Sequence, residues 1–142
     1  MIAMFAAALL AAQTAPTEPE WTWTLYANDA PVVLAHEVPD TANLRVTLEC
    51  DPGSSVARVT LYGGEAMTGM ARVASGDASA VAEAATPRTG TSRLALRVDH
   101  PVFAAFIVDG RMAVAAGDQD RSIEVPSAHL AKLRRFAELC SG

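Results

Sequence analysis

The amino-acid sequence predicts a mainly β domain, an antiparallel sandwich or open barrel of roughly seven to nine strands, with two helical additions. The helices are a short one near 100–109 and a C-terminal one near 128–140. Short runs of alternating apolar and polar residues recur along the chain between clusters of Gly, Pro, Asp and Asn, the pattern of half-buried antiparallel strands. The clearest is Leu44-Arg45-Val46-Thr47-Leu48-Glu49-Cys50, in which Leu44, Val46, Leu48 and Cys50 share one face. Near the chain's end the spacing changes to three and four, with Leu130, Leu133, Phe136 or Ala137, and Cys140 on one stripe.

In chain order, Met1 to Ala12 is an apolar run followed by the polar, proline-containing stretch 13–20. It reads as a secretory leader cleaved near Ala12, with 13–20 as a linker and 21–142 as one globular domain. The run is well short of the about 20 apolar residues that span a bilayer, so no stable membrane span is expected. Trp21, Trp23 and Leu25 alternate against Thr22, Thr24 and Tyr26 in a first β-prone strand, and Pro31 to Ala35 follows as a second, shorter one. Asp51-Pro52-Gly53-Ser54-Ser55 is a turn that returns the chain along Val56 to Tyr62 as a hairpin. Met70 to Ala74 forms another strand, and Ser75 to Ser92 turns small and polar, either a mobile connection or a weak edge strand near Val81.

Arg93 to Asp99 alternates cleanly again. The next stretch, Pro101 to Val108, has the β-branched and aromatic content of a strand. Asp99 as a cap, Pro101 in the first turn and Gly110 past the end favour a two-turn helix. Arg111 to Ala116 and Ser122 to Val125 make a hairpin around Gly117 to Arg121, and Ser127 is the expected N-cap of the last helix. On that helix Lys132, Arg135 and Glu138 face solvent, and Arg134 and Glu138 have the spacing of a weak ion pair.

A chain of 142 residues fits one domain with a modest core, and 51% hydrophobic against 19% charged residues excludes a disordered chain. Ten of the eleven basic residues are arginine, which with the alanine richness is typical of a GC-rich bacterial genome. The net charge of −5, with basic residues scattered, argues against a nucleic-acid partner. In an exported chain two cysteines that both face inward, Cys50 and Cys140, most simply form one disulfide; two buried thiols are the alternative. His36, His100 and His129 lie far apart in no ligand spacing, so no metal or other cofactor is expected. No Gly-x-Ser-x-Gly elbow or phosphate-binding loop occurs, and no catalytic residues are assigned. Trp21, Trp23 and Tyr26 could form a binding platform for a sugar ring or an apolar ligand, or close one end of the core. Lys132, Arg134 and Arg135 are a small basic cluster that a solvated helix face explains.

From Arg93 onward, a strand, Asp-His-Pro-Val-Phe-Ala-Ala-Phe, Gly110, the strand Arg-Met-Ala-Val, a charged turn, Ser-Ile-Glu-Val-Pro and a closing amphipathic helix resemble the C-terminal half of the invasion-associated locus B family. Those are small exported β-rich domains of alphaproteobacteria. The terminal Arg-Arg-Phe-Ala-Glu-Leu-Cys helix departs from the family's pattern. The resemblance implies a non-enzymatic envelope protein with a β-sandwich and appended helices.

The expected function is that of a periplasmic or secreted, non-catalytic binding or envelope-accessory domain, a monomer or weak oligomer whose partner is a protein or envelope component. An inhibitor of a lytic enzyme such as lysozyme is an alternative by analogy of fold, with Ser75 to Ser92 as the loop that would enter the enzyme. A small hydrolase or isomerase with a site assembled from distant residues is a second.

Overall fold

The computed structural model describes residues 20–142. The expected leader, 1–12, and all of the linker but Glu20 lie outside the described residues. Nine strands and two α-helices follow in order: β1 (Thr22–Tyr26), β2 (Val32–Glu37), β3 (Leu44–Cys50), β4 (Val56–Tyr62), β5 (Gly69–Ser75), β6 (Ala78–Ala84), β7 (Thr91–Arg97), α1 (Pro101–Asp109), β8 (Arg111–Ala116), β9 (Gln119–Glu124) and α2 (Leu130–Cys140). A five-stranded sheet runs β1-β2-β3-β4-β7 and a four-stranded sheet β6-β5-β8-β9, every neighbour antiparallel. A bridge between Ala85 and Arg93 joins the two at the β6–β7 corner. The opposite edges, β1 and β9, face each other without a strand ladder.

Alternation in the sequence becomes rows of side chains across the first sheet. Trp23, His36, Val46, Leu61 and Ser92 stand opposite one another in turn, and the next inward row is Leu25, Leu34, Leu48, Val59 and Leu94. The second sheet contributes Ala71, Val73, Met112, Val114 and Ile123, and the helices add Phe103, Phe106, Leu133 and Phe136, all buried in one cluster. Phe103 and Phe106 meet edge to face at 5.8 Å, the favoured aromatic geometry. Alanine supplies little apolar area, so these few large side chains carry most of the burial.

Cys50 ends β3 in the inward register and Cys140 ends α2 on its buried stripe, and the two are joined in a disulfide. The last carbonyls of a helix have no partner within it. Here the β3–β4 turn supplies them: the Gly53 and Ser55 N–H groups donate to the Leu139 and Cys140 carbonyls at 3.2 and 2.7 Å. Sheet and terminal helix are thus locked covalently and by the backbone at one point.

Several local expectations are corrected. Of the two readings of 75–92, the edge strand near Val81 is the one found: β6 runs seven residues, because Gly76-Asp77 makes a two-residue reversal from β5. The same dipeptide type, Gly117-Asp118, joins β8 to β9, so β9 begins at Gln119 and the expected long turn is absent. β2 continues past Ala35 to Glu37. His100, rather than Asp99, caps α1, its Nδ1 accepting from the Val102 N–H at 3.0 Å. The Asp99 carboxylate is occupied by the Arg97 fork at 2.8 Å, which also holds its carboxyl below the usual carboxylate range. Ser127 opens a short 3-10 turn, with Pro126 before it and no side-chain cap. Glu138 pairs with Arg135 at 3.2 Å rather than with Arg134, and Lys132 reaches back to β1 rather than into solvent.

The loop closed by the disulfide has a sequence separation of 90. In the chain-entropy account such a crosslink stabilises by about 4 kcal/mol. Denaturant titration of the Cys50→Ala/Cys140→Ala variant should show a loss of that order, and wild-type protein under reductant should shift toward the same midpoint. Coincident midpoints for variant and oxidised protein would show that the bond adds nothing. A second test concerns Gly110, left-handed at φ 72°, where a Cβ would overlap the Val125 carbonyl oxygen. Gly90 has φ 81° with open space around it. Gly110→Ala should therefore destabilise more than Gly90→Ala, which carries only the roughly 1–2 kcal/mol of left-handed strain; equal losses would remove the overlap as a cause.

Candidate functional site

One end of the inward row on the first sheet is polar. His36 falls in register with Val32 and Leu34, yet places an imidazole between Trp23 and Val46. Its ring stacks on Trp23 with centroids 4.8 Å apart and planes 6° from parallel, and Trp21 approaches the same ring at 5.5 Å and 59°. Opposite it the strand register shifts: His36 faces Val46, Glu37 faces Leu44, and Arg45 is the extra residue. A bulge of this kind re-aims a side chain. Arg45 accordingly leaves the outer face that simple alternation assigns to it and lies over Trp21, its Cζ 3.9 Å from the ring centroid.

The other wall comes from the second sheet. Arg121, Ser122, Ile123 and Glu124 of β9 face Trp23, His36, Arg45 and Val46 across a cleft of about 390 Å³. This exceeds the hollows of about 310 and 290 Å³ that also touch β9, and it lies in the range of small-molecule sites. The cleft is held open by groups that cross it at its margins. The Trp23 indole N–H donates to the Glu124 carbonyl at 3.1 Å, and the Arg121 guanidinium donates to the Tyr62 and Gly63 carbonyls at 3.1 and 2.9 Å. Behind Trp23, Lys132 Nζ donates to that residue's carbonyl at 2.6 Å and lies 3.2 Å from His129 Nδ1.

The charges here are unlike those of the chain as a whole. The protein carries −5, yet Arg45 and Arg121 make no ion pair with a described carboxylate, and Glu124 is 3.6 Å from Arg111. Burial, then the Arg45 charge, then His129 pull the His36 pKa down from its ordinary value. His36 is therefore neutral at pH 7, with one ring nitrogen a donor and the other an acceptor. Among the described residues no three His, Cys, Asp or Glu side chains gather to hold a metal ion. The cleft is lined by two guanidiniums, a neutral imidazole and the Trp23 ring.

The residues marked in the sequence are split by the structure. Trp23 is 2% exposed and serves as core and as cleft wall. Trp21 is half-buried beneath Arg45. Tyr26 points to the opposite face, 50% exposed, and its hydroxyl donates to the buried Glu37 carboxylate, a bond that raises the tyrosine's pKa. The three aromatics therefore do not form one platform, because Tyr26 is an odd number of residues from Trp21 and Trp23 along the strand. His36, Arg45 and Arg121 were the residues to add. Two of them carried a signal, a polar residue in an inward register: His36 with Leu34, and Arg121 with Ile123. Comparison with family models, with curated proteins and with solved structures finds no match for this chain.

A histidine whose folded pKa is depressed contributes stability above its unfolded pKa, and that contribution is lost as pH falls from about 6.5 through the folded value. Wild-type protein should accordingly lose more stability between pH 7.5 and 5 than His36→Gln does, measured by urea unfolding at each pH. Identical pH dependence in the two would mean that His36 titrates as freely in the fold as in the unfolded chain.

Proposed function

We propose that this protein is an exported, non-catalytic binding domain of the cell envelope, and that its ligand enters the cleft between β1 and β9. The observation that carries this reading is the convergence of Arg45, Arg121 and neutral His36 on one cleft of about 390 Å³ in an otherwise acidic protein. Cationic groups without carboxylate partners are disposed for a partner from outside the chain. The export half of the proposal is supported by the Cys50–Cys140 bond, since structural disulfides persist in oxidising compartments. The apolar run Met1 to Ala12 and the resemblance of residues 93–142 to a family of exported domains point to the same compartment. Among the described residues no helix is long and apolar enough to cross a membrane.

The lytic-enzyme inhibitor reading needs an exposed loop within 75–92, and seven of those residues are paired as strand β6. No specific observation favours it over the cleft. Purified oxidised protein should sediment saturably with isolated envelope fragments, and Arg45→Glu, which reverses a charge of the cleft lining, should weaken that retention by at least about tenfold, or 1.4 kcal/mol. Retention unaffected by the substitution would move the site elsewhere on the surface. Absence of retention by the wild-type protein would remove the envelope-binding reading.

A further inference from the structure

Arg45 differs from the arginines that serve the fold. Arg58 and Arg93 share Glu49, Arg97 holds Asp99, and Arg135 holds Glu138. Arg45 instead sits over an indole, its Cζ 3.9 Å from the ring centroid, and donates no side-chain hydrogen bond to any described residue. Stacking restrains the planar guanidinium while leaving its N–H edge unoccupied, and that edge is a rigid fork matched to the two oxygens of an oxyanion. Arg45, the surplus residue of the bulge, lines the cleft. Arg121 adds a second positive charge, fixed in place by two backbone carbonyls.

The rest of the lining limits what the oxyanion can be attached to. Neutral His36 offers one donor and one acceptor, and the backbone edge of β9, a strand paired on one side alone, offers further N–H and carbonyl groups. These groups suit hydroxyls. The volume of about 390 Å³ lies in the range of small-molecule sites.

We infer that the cleft takes a small, polyhydroxylated oxyanion, an acidic sugar whose anionic group is gripped by the Arg45 fork and whose hydroxyls meet His36 and the backbone edge of β9. The inference rests on the reading of the cleft as the binding site. The anionic group can be a carboxylate, as in a uronic acid, or a phosphate ester on a sugar, and the same chemistry recognises both.

Calorimetric titration of the oxidised full-length protein with galacturonate dimer, with glucose 6-phosphate and with glucose separates the sources. One of the two acids should bind with a saturable isotherm and quench tryptophan fluorescence, and glucose should not; the tighter acid identifies the oxyanion. Arg45→Ala should weaken that binding by at least about tenfold, and Arg45→Lys, which keeps the charge and loses the fork, should recover only part of it. The Arg45 side chain is exposed, so a melting midpoint equal to wild type confirms that both variants are folded. Glucose binding as well as the acids, or unchanged affinity in Arg45→Ala, would overturn the assignment of an oxyanion. If neither acid binds while the protein still sediments with envelope fragments in an Arg45-dependent way, the ligand class is wrong and the cleft remains the site. Loss of both would remove both.

Discussion

Two sheets joined at a single corner leave two free edges, and the separation of those edges governs what the molecule can do. Had β1 and β9 closed into a ladder, the result would be a barrel with no mouth between them. Trp23 stands in the way. Its indole is buried between the layers, its ring is covered by His36, and its N–H reaches the Glu124 carbonyl on the far edge. That single bond substitutes for a row of backbone bonds, satisfying one edge carbonyl while keeping the strands an indole's width apart. Lys132, anchored on the Trp23 carbonyl, ties the same point to the terminal helix.

The opposite demand, cohesion, is met at the other end of the inward rows. There the sheet closes on Val32, Cys50, Ala57 and Leu96, small or branched residues with little area to bury. α2 packs against β1 and β2 and is fastened at its C-terminus by the disulfide and by the turn that caps its carbonyls. A tightly fastened end and a wedged-open end coexist in one domain because the covalent constraint and the indole act on different rows of the same sheet.

Much of this architecture was legible in the residues. Alternation in Val46 to Cys50 and Arg93 to Asp99 fixed the inward sets, while Leu44, set opposite Glu37 by the bulge, leaves the face the sequence assigned to it; since Cys50 and Cys140 both fell on inward sets, the crosslink could be read before any geometry. β6 was harder, because Ala78, Ala80 and Ala82 alternate with other small residues and leave almost no hydropathy contrast. The two Gly-Asp reversals carried the missing signal, since a glycine at positive φ permits a two-residue hairpin where a longer loop would otherwise be drawn. His100 displaced Asp99 as a cap through competition: a charge-assisted fork from Arg97 outbids a backbone N–H for the same carboxylate. Of the site, the tryptophans stood out by type and His36 by register. Arg45 could not be found this way, because an irregularity in pairing belongs to two strands at once and is written in neither.

That last point bears on how relatives of this protein would be recognised. The cation over Trp21 owes its position to one surplus residue in β3 relative to β2, so strand length, as much as side-chain identity, encodes it. A homologue that kept the arginine but lost one residue from the Asp40–Asn43 connection or from β3 would turn the guanidinium outward into the polar surface shared by Glu49, Arg58 and Arg93. Column-by-column conservation would score such a chain as equivalent. Counting the spacing between the histidine and the arginine would separate descendants that inherited the mouth from those that kept only the scaffold.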